Sequence, residues 1–291
     1  SFSENGYETY AKKMLESIVE KWNPKHFKLI AYYHDFDLPK LKPPTSDVVS
    51  YRNLNDVKDM LEYRERMKKH DGTEGGKMSY NWRLDAIKWC HKVYSLTDLA
   101  FEMMEDENYD KEEPNWLIWI DADTIASKRL DVSAVDKWLP SQASVVHLGR
   151  TDIDYSETSF MGFNLQYHDA CSLLADFRGC YTIGETIAYR EWHDGFIFER
   201  LLNIYKAHGM AVNNMTENVK GLTAFMQSPL SEYFIHYKGN LKDNISNTNV
   251  SPDVKLERYR KLCNIVEHYK VKNIVEVGTW NGGRAIDMAD G

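Results

Sequence analysis

The sequence predicts an α/β domain, a doubly wound sheet with helices on both faces. Three observations carry that prediction. Apolar spacing switches repeatedly between the helical period of about 3.6 and the strand period of 2, so strands and helices alternate along the chain. The run Asn115-Trp116-Leu117-Ile118-Trp119-Ile120 is apolar at every position after its first, the mark of a central strand covered on both faces. Hydrophobic residues make up 43% and aromatics 13% of the 291 residues, enough to fill a sizeable core and too many for a disordered chain.

The elements follow in order. Tyr7, Tyr10, Ala11, Met14, Leu15, Ile18, Val19 and Trp22 fall at i, i+3, i+4 and i+7 spacing and predict an amphipathic helix. Asn5 is its expected N-cap, with Glu8 three residues on. Residues 27–33 read as a strand, and a helix ahead of it implies an earlier strand before Ser1. Residues 54–69 read as helical, the glycine-rich stretch 68–77 as a mobile loop, and 84–104 as a long helix leading to the 115–120 strand. Strands are expected at 144–148 and 160–164, helices at 169–177 and 195–205, and short strands at 211–213 and 233–236. Ligands in such a sheet sit at the carboxyl ends of the strands.

Asn- and Ser-rich residues around 240–252 mark a composition break, which divides the chain into a domain over 1–242, a linker over 243–252 and a further piece over 253–291. In that piece Ser251-Pro252-Asp253 opens a helix, and a strand runs into the glycine turn Gly278-Thr279-Trp280-Asn281-Gly282-Gly283.

Charge and cysteine usage narrow the function classes. The formal charge is 36 − 44 = −8 with no basic stripe, so no nucleic-acid partner is expected. An anionic substrate then needs a metal or a few local cations to offset the general field. The four cysteines, Cys90, Cys171, Cys180 and Cys263, form no Cys-x-x-Cys pair and read as reduced thiols. The chain shows no membrane-length apolar run and no secretory pattern, so no membrane span and a cytoplasmic location are expected.

Asp-x-Asp occurs three times, at Asp35/Asp37, Asp121/Asp123 and Asp152/Asp154. The first leads into Pro39 and Pro43-Pro44, and the third lies in a polar turn. Only Asp121-Ala122-Asp123 follows the doubly apolar strand. Residues i and i+2 of a strand point the same way, so both carboxylates can face one hard cation such as Mg²⁺ or Mn²⁺. Far downstream, His236-Tyr237-Lys238-Gly239-Asn240-Leu241-Lys242 spaces a His, a Gly and a Lys as His-x-x-Gly-x-x-Lys. The imidazole could complete the metal's ligands, the glycine lets backbone approach a phosphate, and the lysine supplies a point charge.

Together these two motifs resemble the glycogenin-like glycosyltransferases of GT-A fold. Arg83-Leu84, upstream of Asp121, is a third match, and the resemblance covers residues 1–242. It departs from glycogenin after Lys242, where Asp243 stands in place of Pro-Trp. The resemblance implies a GT-A-type, Rossmann-like mixed sheet and a UDP-sugar donor, with glucose preferred. It implies Mn²⁺ or Mg²⁺ held by Asp121, Asp123 and His236, and a carbohydrate or other hydroxyl acceptor. Gly239 and Lys242 would contact the diphosphate, Arg83 and Asp85 the donor sugar with Ala122 beside it, and Phe2, Ser3 and Tyr7 the uridine. Tyr7 equally fits the apolar face of the first helix. Lys88 and Lys92 share a helix face with Arg83 or Asp85 and read as solvated or stem-buried.

Two acidic residues suit the acceptor side. Glu157 lies just before the 160–164 strand, and Asp194 lies at a helix start where capping would fix it. A carboxylate so placed can act as general base in an inverting reaction, and retaining enzymes also keep an Asp nearby, so the stereochemistry stays open. Residues 276–283 resemble the first motif of S-adenosylmethionine methyltransferases. That cofactor belongs to an intact second domain and is not expected to bind this piece. A metal-independent glycoside hydrolase and a non-catalytic sugar-nucleotide or glycan-binding module are the rival readings.

Overall fold

A computed structural model describes residues 1–106, 115–221 and 223–238. Gly239, Lys242, the linker and the methyltransferase-like piece lie outside the described residues.

The first helix, α1, is composite, with an α-helical turn over Glu4–Gly6, a π-helical segment over Tyr7–Ala11 and an α-helix over Lys12–Lys21. Its N-cap is Ser3, whose side chain accepts from Gly6 N, and not Asn5. Asn5 lies two residues past the cap, inside the helix, and its carbonyl accepts from Thr9 Oγ1. Strand β1 (Leu29–Tyr33) pairs in parallel with β2 (Val49–Asn53). Phe2 bridges to Tyr33 of β1. Helix α2 (Lys58–Arg66) and the long α3 (Ala86–Glu105) follow. Next come β3 (Trp116–Ile120), β4 (Thr124–Ala126), α4 (Val132–Trp138), β5 (Val145–His147) and β6 (Phe160–Asn164). The chain continues through α5 (His168–Thr182), α6 (Asp194–Ala207), β7 (Val212–Asn214), α7 (Ala224–Gln227) and β8 (Phe234–His236).

The central sheet is mixed, in the order β3-β6-β5-β7. β6 runs antiparallel to both neighbours, and β7 is parallel to β5. β4 and β8 form a separate antiparallel pair. This is the expected α/β class with a mixed sheet flanked by helices. β3 departs from the expectation of a central strand. Among the described residues it is hydrogen-bonded on one side only, to β6, and its apolar faces are covered by helices rather than by position in the ladder.

Alternation along β3 builds the three layers. Leu117 and Trp119 join one apolar cluster with Met161 and Phe163 of β6, Val93 of α3, Leu173 of α5 and Phe198 of α6. Trp116, Ile118 and Ile120 face the other way, onto a cluster holding Met14, Leu15 and Ile18 of α1 and Trp138 of α4. A period of 2 across a sheet delivers alternate side chains to opposite faces, so each face buries its own row. Gly162 of β6 permits this closeness, because a Cβ there would meet Leu139 Cδ2 at 3.0 Å.

Candidate metal and donor site

β3 ends at Ile120 and delivers Asp121 to the sheet edge, where Asp121 N bonds Ser159 O at 3.0 Å and prolongs the β3–β6 ladder. A tight turn, Thr124 N to Asp121 O at 3.1 Å, then carries the chain into β4. Ser17 of α1 fixes that strand by accepting from Ala126 N at 3.0 Å. The β4–β8 register sets Thr124 opposite His236, and Tyr237 N bonds Asp123 O at 3.0 Å. The register therefore brings His236, distant in sequence, beside Asp123, with Nε2 at 3.3 Å from Asp123 Oδ1.

Asp121, Asp123 and His236 each offer a ligand atom, and these atoms lie within 4.8 Å of one another. Two carboxylates and one imidazole are a donor set that fits Mn²⁺ or Mg²⁺ with positions left for phosphate oxygens. Asp121 is oriented by its neighbours: Oδ1 accepts from Trp119 Nε1 at 2.7 Å and from Lys92 Nζ at 2.8 Å. His236 Nδ1 lies 3.5 Å from Glu157 Oε1, the outer carboxylate that typically orients a ligating histidine.

Lys92 departs most from expectation. It is not solvated; α3 drives it into the site, where Nζ bonds Asp121, Asp194 Oδ2 at 2.7 Å and Thr158 O at 2.9 Å. Burial works against its charge, but Asp121 and Asp194 outweigh burial and hold the ammonium above the ordinary lysine range. Asp194 is corrected as well. The N-cap of α6 is His193, whose Nδ1 accepts from Phe196 N at 3.2 Å, and Asp194 is the first helical residue. Its carboxylate turns inward, 2% exposed, to Lys92 and to Thr158 Oγ1 at 2.6 Å. Burial would raise its pKa, but Lys92, His193 and these hydrogen bonds bring it below the usual carboxylate value. Gly195 lets the helix start approach, since a Cβ there would lie 3.0 Å from Ser156 O.

Glu157 is buried and engaged on both oxygens, Oε1 by Lys238 Nζ at 2.9 Å and Oε2 by Phe225 N at 3.0 Å. Burial pushes its pKa up, and Lys238 with His236 more than offsets this, leaving the group ionised below its ordinary value. From sequence Lys92 reads as solvated or stem-buried, and Lys238 is given no role. The one available signal for Lys238 is its place two residues past His236, which on an extended segment faces the same side.

The remaining expected residues divide. Arg83 is partly exposed, with Nε 3.3 Å from Glu191 and its guanidinium over Trp82. Asp85 caps α3, Oδ1 accepting from Lys88 N at 2.8 Å and Oδ2 from Tyr80 at 3.1 Å. Ala122 is half-buried between Asp121 and Asp123. Phe2 and Tyr7 are buried in an aromatic cluster with Phe36, and Tyr7 takes the core place on the helix face. Ser3 is engaged in the helix cap. Of the other Asp-x-Asp pairs, Asp35 is clamped by Arg64 at 2.9 Å, Asp37 is an exposed partner of Lys40, and Asp154 pairs with Arg190.

Neither a scan against protein-family models nor a search of curated proteins finds a match. Among solved structures the chain is similar to mouse xyloside xylosyltransferase 1 in its apo form. The identity is 14% and the TM-score 0.43, over 83% of this chain and 93% of that one. A likeness this distant leaves the chemistry to be read from the side chains.

Proposed function

We propose that this chain is a metal-dependent glycosyltransferase that moves a sugar from a UDP-sugar to a hydroxyl acceptor. The observation that carries the reading is a charge balance in one cluster, in which Asp123, Glu157, Asp194 and Lys92 are buried and Asp121 and Lys238 partly so. Asp121, Asp123, Glu157 and Asp194 bring four carboxylates, and Lys92 and Lys238 bring two ammonium groups. With His236 as a neutral ligand the sum is −4 + 2 = −2, which one divalent cation balances. A largely buried cluster of that charge is costly without a counter-ion, and a hard cation beside two carboxylates and an imidazole is the direct remedy.

A divalent ion bound there would act as a Lewis acid towards the leaving diphosphate. The protein's own residues do the rest. Asp121, Asp123 and His236 hold the ion's place, and Trp119 and Lys92 fix the Asp121 rotamer. Asp194 stays ionised near neutral pH and is the carboxylate for the acceptor side, able to take a proton from an attacking hydroxyl or to steady the developing positive charge at the sugar carbon. Glu157 orients His236 rather than meeting substrate. A glycoside hydrolase would need one carboxyl held protonated as general acid, whereas Glu157 and Asp194 here sit beside lysines that keep them ionised.

The test is a screen of UDP-sugars, UDP-glucose first, with and without Mn²⁺, following UDP release. Metal-dependent release or binding is expected. Indifference to every nucleotide sugar and to the metal would sink the reading.

A further inference from the structure

A second concavity lies beyond β5. It is a cleft of about 490 Å³, floored by His147 and walled by the 149–155 loop and one face of α6. Its lining is polar, which is unusual for a small-molecule cavity of this size, where apolar groups normally dominate. Arg150, Arg200 and Lys206 face Asp152, Asp154 and Glu199, three cations against three anions, so the cleft has no formal charge to recruit a phosphate or a basic chain. What it does offer is a dense mixture of donors and acceptors.

That mixture is built rather than incidental. Arg150 Nη2 bonds Tyr155 O at 2.9 Å with its guanidinium 4.9 Å from the Tyr155 ring. Gly221 N holds Asp152, and Glu199 accepts from Ser156 N at 3.0 Å. Two lining groups retain unspent capacity: His147, only 3% exposed, has Nε2 buried without a hydrogen-bond partner, and Arg200 Nε is likewise unpartnered. Unpartnered buried polar atoms are costly and rare, and a ligand that brings hydroxyls is one remedy.

The cleft also adjoins the metal site through consecutive residues. Tyr155 lines it, and Ser156 Oγ is held by His147 Nδ1 at 2.7 Å. The next residue, Glu157, abuts His236, and Thr158 holds Asp194. Tyr155 also packs edge-on against His193 with ring centroids 4.6 Å apart. The segment Tyr155 to Thr158 is thus shared between the cleft and the metal site, its first residue lining the cleft and its last bonding the buried Asp194.

We propose that this cleft is a saccharide subsite that seats the hydroxyl acceptor, with neutral, uncharged sugars as its ligand class. Hydroxyl groups both donate and accept, so they complement carboxylates and guanidinium groups at once without leaving a charge unbalanced. The acceptor role rests on the glycosyltransferase reading above; the saccharide class rests on the cleft itself.

Saturation-transfer NMR with methyl glucosides, maltose, cellobiose and lactose tests it on the full chain. The same spectra are taken for Lys206→Glu and Asn203→Ala, exposed residues at the cleft's rim, with the thermal midpoint as a folding control. At least one of these sugars should bind the wild type and bind roughly tenfold more weakly to a variant, the equivalent of one charge-assisted hydrogen bond. UDP binding in the presence of Mn²⁺ should be unaltered. If none of these sugars binds, if both variants bind as the wild type does, or if inorganic phosphate competes the sugar away, the proposal fails. Sugar binding that depends on the cleft in a protein indifferent to UDP and Mn²⁺ would instead keep the saccharide subsite and remove its acceptor role.

Discussion

Lys92 Nζ lies 2.7 Å from Asp194 Oδ2, joining the middle of α3 to the first residue of α6 inside the site. The same ammonium holds Asp121, so one lysine ties the end of β3 to the start of α6. Lys92→Met should lose about 3–5 kcal/mol in urea unfolding, because it leaves the buried Asp194 carboxylate and the partly buried Asp121 without their cation. Lys92→Met with Asp194→Asn should lose less than the two single changes summed, by more than about 1 kcal/mol. Strict additivity would show that the contact is not an energetic pair.

The choice among the three Asp-x-Asp sites is testable by metal binding. Asp123→Ala should weaken Mn²⁺-dependent UDP binding by more than the roughly 10–100-fold typical of an outer-shell group. Asp37→Ala, which removes only an exposed partner of Lys40, should leave it intact. Calorimetry of UDP with Mn²⁺ separates the two, and equal losses would mean the metal lies elsewhere.

Asp194→Asn keeps the shape and removes the charge. Transfer to acceptor should fall about 10²–10⁴-fold, the usual range for a lost general base, while UDP still binds. Unchanged turnover would reduce Asp194 to a structural counter-ion for Lys92.

His147 predicts an acid limb of stability. Burial lowers its pKa to about 3, so the folded protein keeps it neutral where the unfolded chain, near 6.5, takes up a proton. Its contribution is complete above about pH 6.5 and shrinks by about 1.4 kcal/mol per pH unit as pH falls towards 3. His147→Gln should flatten the fall in urea midpoint between pH 6.5 and 4.5. Parallel slopes for the two proteins would place the titration on other groups.

Much of the fold was legible from spacing. The long helix was expected at 84–104 and spans Ala86–Glu105, and the 160–164 strand coincides with Phe160–Asn164, because amphipathic faces wide enough to bury must repeat regularly. Cap assignments were wrong at Asn5 and Asp194. Several polar side chains cluster near a helix start, and which one reaches a free N–H depends on the chain's entry angle, not on composition. β3 looked central because helices cover it as fully as neighbouring strands would.

The sequence by itself determined that Asp121 and Asp123 stand at the exit of a buried strand, because the apolar run stops at Ile120; the turn closed by Thr124 N on Asp121 O, not strand alternation, sets where the two carboxylates point. Only the tertiary structure decided what those carboxylates meet. The β4–β8 register brought His236 to Asp123, and α3 pushed Lys92, outwardly an ordinary surface lysine, between Asp121 and Asp194. The reason is electrostatic. A buried charge is tolerable only beside its partner, and here the partners arrive from segments that no local spacing connects.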